Sequence, residues 1–284
     1  MNIFMNILDW FIAPLSYDFM VRAILISGFI GIVCAVLSCF MTLKGWALMG
    51  DAVSHSVTPG VVLAHILGLP FAIGAFVCGV GSVLAIGLIK SHTRIKEDTV
   101  IGLVFTGFFA FGLVLISKNP SNIDLNHILF GNVLGISTSD LIQTLVIGIF
   151  TLITVLILRK DLLLFCFDPI HARSIGLNVD VLYYVLLTLL SLTIVVALQA
   201  VGIILVVAML VTPGAIAYLL TDRFDHMIGY AVLSGVFSNV IGTYISYYLD
   251  ASTGGCIVVL QTLLFVMVMI FAPKYGLLRK KLYR

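Results

Sequence analysis

Long apolar runs dominate this sequence and set what the chain can fold into. Nine runs lie near residues 19–42, 46–67, 71–89, 99–116, 138–158, 180–198, 202–220, 227–248 and 255–272. One helix needs about 20 apolar residues to cross the hydrocarbon core of a bilayer, and these runs lack the polar alternation of barrel strands. The sequence therefore predicts an all-α, multi-pass membrane protein with about nine transmembrane helices. Eight or ten also fit, because some neighbouring runs are separated by only three residues.

The composition excludes several classes of protein. Hydrophobic residues make up 61% of the 284 residues and charged residues only 10%, whereas soluble domains carry about 25% charged residues. A water-soluble globule of this size could not hide so much apolar surface, which excludes a soluble enzyme and a disordered protein. The net charge of +2 implies no polyanionic partner, so no nucleic acid is expected.

The basic residues predict the orientation of the chain. If the loop at 90–96 is cytoplasmic, nine alternating spans place thirteen of the fifteen lysines and arginines on that side. Only Arg22 and Lys118 fall outside, as the positive-inside rule expects. The N-terminus is then outside, and residues 274–284 form a basic cytoplasmic tail.

Other segments divide the chain further. Residues 1–18 are rich in aromatic side chains and are expected to lie at the membrane surface. Residues 19–273 form the transmembrane domain, and residues 159–179 form a cytoplasmic loop within it. Small residues recur at every fourth position in two runs, which predicts close helix packing in lipid. The two sets are Ser27, Gly31, Ala35 and Cys39, and Ser234, Ser238, Gly242 and Ser246.

One short sequence occurs twice. Residues 57–60 read Val-Thr-Pro-Gly, and so do residues 211–214. Inverted repeats with interrupted helices are typical of transporters, although chance also explains a match of four residues. Each proline lacks the N–H that a helix interior requires, so both helices are expected to be disturbed there.

Asp51 is the only acidic residue deep in a predicted span, and His55 follows four positions later. At roughly 100° per residue, Asp51, His55 and Thr58 share one helix face, with Ser54 at its edge. A charged group inside a bilayer costs several kcal/mol and usually faces a cavity or pathway. Three interpretations fit: a structural Asp–His pair, a proton relay, or a site for a divalent metal.

The metal interpretation is the preferred one, because a carboxylate oxygen and an imidazole nitrogen suit borderline divalent ions. Two ligands are too few for tight binding by one chain, and a two-fold dimer would supply two more. Asp51 and His55 are then the candidate metal ligands, and Ser54 and Thr58 are expected to line the same pore. No permanently bound cofactor is expected; the metal would be the transported substrate.

The cytoplasmic loop contains a strongly specified short helix. Asp168 is a favourable N-cap, Pro169 suits the first helical position, and Gly176 suits the position after the C-cap. Such a helix favours a docking element, although an ordinary capped loop has the same signals. The sequence contains no GxxxxGK[ST] motif, so any ATP hydrolysis must occur on another chain.

The sequence resembles a known family over about residues 20–275. Residues 44–60, Lys-Gly-Trp-Ala-Leu-Met-Gly-Asp-Ala-Val-Ser-His-Ser-Val-Thr-Pro-Gly, resemble the signature of bacterial ABC permeases for manganese, iron and zinc. Residues 168–178 resemble the coupling helix of that family, and residues 201–214 resemble its other recurrent stretch. The resemblance implies a type II, cobalamin-permease-like fold.

The resemblance also implies partners and residue roles. Two permease copies would work with a cytoplasmic dimer of ABC ATPases and an extracytoplasmic metal-binding protein in the bacterial plasma (inner) membrane. Asp51 and His55 would form the metal gate. The residues expected to contact the ATPase are Asp168, Pro169, Ala172, Arg173 and Gly176. Pro59 and the preceding Gly-Trp pair favour the manganese and iron branch.

Three functions therefore compete. The first is the permease subunit, itself not an enzyme, of an ATP-driven importer for Mn²⁺, Fe²⁺ or Zn²⁺. The second is a proton-coupled secondary transporter that uses Asp51 and His55, and the third is a membrane scaffold without transport. The capped cytoplasmic helix favours the first over the second, and the buried Asp–His pair disfavours the third.

Overall fold

The computed structural model describes residues 13–118, 138–272 and 276, and within them it contains helices and no strands. A 3₁₀ turn at Ala13–Ser16 comes first. The α-helices follow in this order: α1 Asp18–Lys44, α2 Ala47–Ser56, α3 Thr58–Leu67, α4 Phe71–His92, α5 Glu97–Lys118, α6 Thr138–Ile157, α7 Arg159–Phe167, α8 Pro169–Ser174, α9 Val179–Val201, α10 Ile203–Leu220, α11 Phe224–Leu249 and α12 Thr253–Phe271.

Every apolar run predicted from the sequence is helical. Among the described residues, seven helices are long and apolar enough to cross a membrane: α1, α4, α5, α6, α9, α11 and α12. Helix α10 is shorter and equally apolar. The predicted run at 46–67 is divided into α2 and α3, ten residues each, so together they match the length of one span.

The first bundle is built on α1, which packs against α10 and α11. The small-residue stripe of α1 allows this approach, because Gly31 and Ala35 lie against Gly235 of α11. The Ser27 hydroxyl also lies 3.3 Å from the Thr243 hydroxyl. The second stripe meets α12, where Gly242 contacts Ile257. The prediction that both stripes serve helix packing is confirmed.

The second bundle contains α2, α3, α4, α5 and α9. Helices α3 and α4 touch through their backbones, because a Cβ atom on Gly60 would overlap the carbonyl group of Gly74, and a Cβ on Gly74 would overlap that of Gly60. Helix α2 also reaches the first bundle, where Gly50 lies against Leu210 of α10. The two bundles therefore meet at α2.

Some expectations lie outside the described residues. They include most of the predicted interfacial segment at 1–18, the extracellular loop that begins after Lys118, and the basic tail at 274–284. The predicted domain boundaries at 18 and 273 therefore stay predictions. The cytoplasmic loop predicted at 159–179 lies within the described residues and contains α7 and α8.

Candidate metal gate and docking surface

Helix α2 carries the candidate metal ligands, and its ends are set by Gly45 and Pro59. Gly45 has a left-handed φ of 75°, and its N–H bonds back to the last turn of α1, so the chain turns there. Pro59 lies in the first turn of α3, where its missing N–H costs nothing. Val57 between the two helices keeps right-handed helical angles. The division therefore leaves α2 and α3 following each other closely.

Asp51 and His55 face each other one turn apart on α2. The Nε2 atom of His55 lies 3.4 Å from Oδ1 of Asp51. The side chain of His55 is 23% exposed and that of Asp51 is 45% exposed. From residue 51 to residue 60, Asp51, His55 and Thr58 are the positions that are partly exposed, and the others are buried. The three residues predicted to share a face therefore do so.

The structure separates Ser54 from this face. Ser54 is fully buried, and its hydroxyl donates a hydrogen bond of 2.7 Å to the carbonyl of Gly50. The helical wheel placed it at the edge of the stripe, but packing against neighbouring helices covers that edge. In this conformation of the chain, Ser54 supports the helix backbone and does not reach the exposed face.

Two aromatic rings of α5 hold the imidazole of His55. The ring centroids of Phe105 and Phe109 lie 5.3 and 5.2 Å from that of His55. The Nδ1 atom of His55 is buried and has no hydrogen-bond partner among the described residues. Neither phenylalanine was predicted from the sequence, although the two lie four positions apart on one face of α5 and that spacing could have indicated them.

A metal ion would find two ligands in one chain. Across the described parts of the chain, no group of three or more His, Cys, Asp or Glu residues is placed to hold a metal. Asp51 offers an anionic oxygen and His55 a neutral nitrogen, a pair that divalent transition metals accept. His65 lies on another, exposed stretch of α3, stacked on Phe71.

Helix α8 forms as predicted from its capping residues. The Asp168 carboxylate accepts hydrogen bonds from the N–H groups of Ile170 and His171, at 3.0 and 2.9 Å. Pro169 occupies the first turn, and Gly176 takes a left-handed φ of 91° after the helix ends. The predicted segment at 168–176 is therefore correct, with α8 itself covering Pro169–Ser174.

Of the residues expected to contact a partner chain, Arg173 and Gly176 are exposed, whereas Ala172 is fully buried and packs inward. The role of these residues in coupling stays a prediction. The large apolar side chains exposed on and beside α8 are Phe167, Ile170 and Ile175, at 80%, 83% and 58%. We call these three residues the apolar docking patch. Arg173 is also exposed and pairs with Asp180 at 3.6 Å.

A cavity of about 420 Å³ adjoins this patch and shares Phe167 with it. Its wall is mostly apolar and is formed by residues of α1, α7, α10, α11 and the link between the last two: Leu43, Lys160, Leu163, Leu164, Phe167, Tyr218, Thr221, Asp222, Phe224 and Met227. Arg159 of α7 pairs with Asp225 of α11 at 3.0 Å. The docking patch is therefore connected to the first bundle.

Comparison with protein families gives one match over nearly the whole chain. Residues 16–272 match the model described as the ABC 3 transport family. The manganese transport system membrane protein MntB of Synechocystis sp. is 66% identical over 272 residues, covering 96% of this chain and 89% of that protein. The chelated iron transport system membrane protein YfeD of Yersinia pestis is 56% identical over 258 residues, covering 91% and 87%.

Solved structures are also similar. PsaBC from Streptococcus pneumoniae, determined in complex with a Fab, superposes with a TM-score of 0.85 at 40% identity, covering 95% of this chain and 98% of that chain. An inward-facing conformation of a putative metal-chelate type ABC transporter gives a TM-score of 0.62 at 17% identity, covering 86% of this chain and 83% of that chain. The second likeness concerns the fold alone.

Proposed function

This chain belongs to the ABC 3 transport family, and from that membership we propose that it is the membrane-spanning permease of an ATP-driven importer for divalent transition-metal ions. The observation that carries the proposal is the Asp51–His55 pair on the exposed face of α2. Relatives named for manganese and for chelated iron make Mn²⁺ and Fe²⁺ the first ions to test, and Zn²⁺ the third.

The proton-coupled alternative has less support. It explains the Asp51–His55 pair, but it has no use for a docking helix, and the matching family is an ABC transport family. In the importer, the pair would bind the dehydrated or partly hydrated ion briefly. A charged carboxylate attracts the dication into the apolar channel, and the imidazole adds a nitrogen ligand.

A second copy of the chain would complete the site. Divalent transition metals take about four to six ligands, and one chain supplies two. A two-fold axis beside α2 brings the same face of both chains together, so two Asp51 and two His55 side chains would surround the ion. Thr58, one turn beyond His55 on the same face, would line the path.

A separate ATPase would dock on the cytoplasmic side. The sequence lacks a P-loop, and the apolar docking patch gives a partner chain three large side chains to bury. Asp168, Pro169 and Gly176 would hold α8 in shape, and Arg173 would sit beside the patch. A metal-binding protein outside the bacterial plasma membrane would deliver the ion to the permease.

Uptake of radiolabelled Mn²⁺, Fe²⁺ and Zn²⁺ tests the function directly. The permease is reconstituted in liposomes with its partner ATPase and binding protein. We expect uptake to require ATP and to stop with a hydrolysis-deficient ATPase, while a protonophore leaves it unchanged. Uptake that follows an imposed proton gradient without ATP would contradict the proposal and support the secondary transporter.

The docking patch has its own test. Ile170→Asp should weaken binding of the ATPase by about 2 kcal/mol, because it buries a charge at the centre of the contact. Co-purification of the ATPase with the permease measures it. Ile95→Asp is the matched control, since Ile95 is an exposed isoleucine of another cytoplasmic loop. Equal retention of the ATPase by both variants would move the docking site away from α8.

A further inference from the structure

The link between α1 and α2 is short and lies next to the docking element. Only Gly45 and Trp46 separate the two helices. Gly45 is exposed and left-handed, with no atom within 4 Å of an added Cβ, whereas the Trp46 side chain is buried. Helix α2, which carries Asp51 and His55, is therefore preceded by an exposed left-handed glycine and a buried tryptophan.

Lys44 connects this link to the docking segment. Its ammonium group donates a hydrogen bond of 3.4 Å to the carbonyl of Phe165 and lies 4.1 Å from the centroid of the Phe165 ring. Phe165 is buried in the last turn of α7, three residues before Asp168, the N-cap of α8. The Lys44 side chain therefore joins the end of α1, at the start of the link to α2, to α7, which directly precedes α8. We call this link, with Trp46, the base of α2.

Side chains of three further helices surround the base of α2. The Trp46 ring meets the ring of Tyr183 from α9 edge-on, with centroids 5.4 Å apart. The Lys90 ammonium of α4 lies 5.8 Å from the Tyr183 centroid and forms an ion pair with Glu97 of α5. A movement of Trp46 would therefore displace side chains of α9, α4 and α5 in the second bundle.

This cluster is incompletely hydrogen-bonded in the described structure. The buried Trp46 Nε1, Tyr183 hydroxyl and Glu97 Oε1 atoms have no hydrogen-bond partner among the described residues. Leaving a buried polar atom unpaired costs about 1–3 kcal/mol, so a second arrangement that pairs these atoms would cost this cluster little. Packed clusters of this kind switch between discrete arrangements and do not deform continuously.

We propose that Lys44 is a positioning residue that transmits movement of the docking segment to the gate helix α2. The proposal rests on the proposed function, because it needs an ATPase that moves α8. When α7 and α8 shift, the Lys44–Phe165 contact carries the base of α2 with them. Asp51 lies five residues beyond Trp46, about 7.5 Å along the helix, so a tilt at Trp46 changes the geometry of both metal ligands.

The first test compares transport with hydrolysis. Lys44→Met keeps the length and the apolar stem of the side chain but removes its charge and its donor. In liposomes with the partner ATPase, we expect hydrolysis to continue at the parental rate while Mn²⁺ imported per ATP falls roughly five- to tenfold. Lys44→Arg should restore most of the coupling. Lys96→Met removes an exposed lysine on the same side of the membrane and should have no effect.

A second test needs no transported metal. Leu48 is 57% exposed on α2, between Trp46 and Asp51, so Leu48→Cys reports on the helix by its rate of maleimide labelling. The background replaces the partly exposed Cys78 and Cys256 with serine. Burial raises the pKa of the Cys166 thiol to about 12, so Cys166 stays protonated and unreactive. We expect ATP to change the labelling rate in the Lys96→Met protein and not in the Lys44→Met protein.

The outcomes separate this proposal from the proposed function. The role of Lys44 is overturned if the Lys44→Met protein imports as much Mn²⁺ per ATP as the parental protein. It is also overturned if ATP changes the labelling rate of Leu48→Cys equally in the Lys44→Met and Lys96→Met proteins. Either result leaves the proposed importer function unaffected. If the parental chain transports no metal ion, the proposed function fails, and the labelling response alone then decides the role of Lys44. Loss of ATP-dependent labelling in Lys44→Met with retained ATPase binding supports it.

Discussion

The sequence Val-Thr-Pro-Gly adopts two different structures in this chain. At residues 57–60 it divides one predicted span into α2 and α3, with the break at Val57. At residues 211–214 it lies inside α10, which runs without interruption from Ile203 to Leu220 with Pro213 in its interior. The same four residues therefore break a helix in one place and are tolerated in the other.

A serine of α1 forms hydrogen bonds to the turn around the second proline. The Ser38 hydroxyl donates to the carbonyl of Val211 at 3.3 Å and accepts from the N–H of Gly214 at 2.9 Å. These two bonds bridge the turn around Pro213 from outside the helix. In the first copy, α3 instead meets Gly74 of α4 and Gly112 of α5, and glycines have no side chain to offer. The two prolines therefore differ in their neighbours: a hydroxyl that bonds the surrounding turn at Pro213, and glycines that contact α3 beside Pro59.

The flanking residues differ as well. In the register of the two copies, Asp51 corresponds to Leu205 and His55 to Met209. Leu205 and Met209 are buried, whereas Asp51 and His55 are partly exposed. The polar, accessible face occurs only beside the divided helix, which favours the first copy as the gate and the second as support.

Removing the charge of Asp51, beside the first copy, should have the largest effect on transport. Asp51→Ala should reduce Mn²⁺ uptake roughly 100-fold at matched protein levels, because loss of a metal contact costs at least the ten- to hundredfold seen for supporting residues. Asp51→Asn keeps the size and should fail too, if charge attracts the ion. Radiolabelled uptake measures both.

His65→Ala is the control for that prediction, because His65 lies on another face of the same span and is exposed. It should transport nearly normally, and His55→Ala should weaken uptake or change which ion passes. Parental uptake by Asp51→Ala together with impaired uptake by His65→Ala would reverse the assignment of the gate.

The two Val-Thr-Pro-Gly copies should behave alike in one respect: the glycine of each should be needed for folding. A Cβ atom added at Gly60 overlaps the carbonyl group of Gly74. One added at Gly214 overlaps both the carbonyl oxygen and the hydroxyl of Ser38. Gly60→Ala and Gly214→Ala should each lower the free energy of unfolding by about 3 kcal/mol or more. Unfolding in detergent measures this, with Gly81→Ala as control.

Gly81 has no atom within 4 Å of an added Cβ and lies in α4. Replacing it with alanine should be neutral or stabilise the helix by up to about 1 kcal/mol. Destabilisation by Gly81→Ala of the same size as by Gly60→Ala would mean that helix packing at Gly74 is not the cause.

The prolines should separate the copies. Pro59→Ala restores an N–H to the break and allows α2 and α3 to join into one helix, which would turn His55 relative to Thr58. We expect Mn²⁺ uptake to fall roughly tenfold. Pro213→Ala changes a helix that is already continuous, so uptake should stay near the parental value. Equal losses in the two variants would show that the break itself has no role in transport.

The serine bridge should have the smallest effect of the four. Ser38→Ala leaves the buried N–H of Gly214 without its partner and should lower the free energy of unfolding by about 1–3 kcal/mol. Ser56→Ala is the counterpart beside the first copy, where the hydroxyl donates to Ala52 of its own helix. It should cost less than about 1 kcal/mol. A larger loss in Ser56→Ala would contradict the bridging role of Ser38.

Local sequence rules predicted much of this molecule. The apolar runs predicted every described helix except α7 and α8, because about 20 apolar residues in lipid must satisfy their backbone groups within one segment. The cap at Asp168 and the left-handed Gly176 were also predictable from local sequence, because capping bonds join residues two to four positions apart. The stripe of Asp51, His55 and Thr58 followed from helical periodicity alone.

Neighbouring helices decided the remainder. Ala172 and Ser54 were expected at functional surfaces and are buried, and Phe167, Ile170 and Ile175 form the surface of the docking element. Around Pro213 in α10, the carbonyl of Val211 and the N–H of Gly214 both bond the hydroxyl of Ser38, a residue far away in sequence. Periodicity and capping depend on residues within one turn, whereas burial and bridging hydrogen bonds depend on helices that only the folded chain brings together.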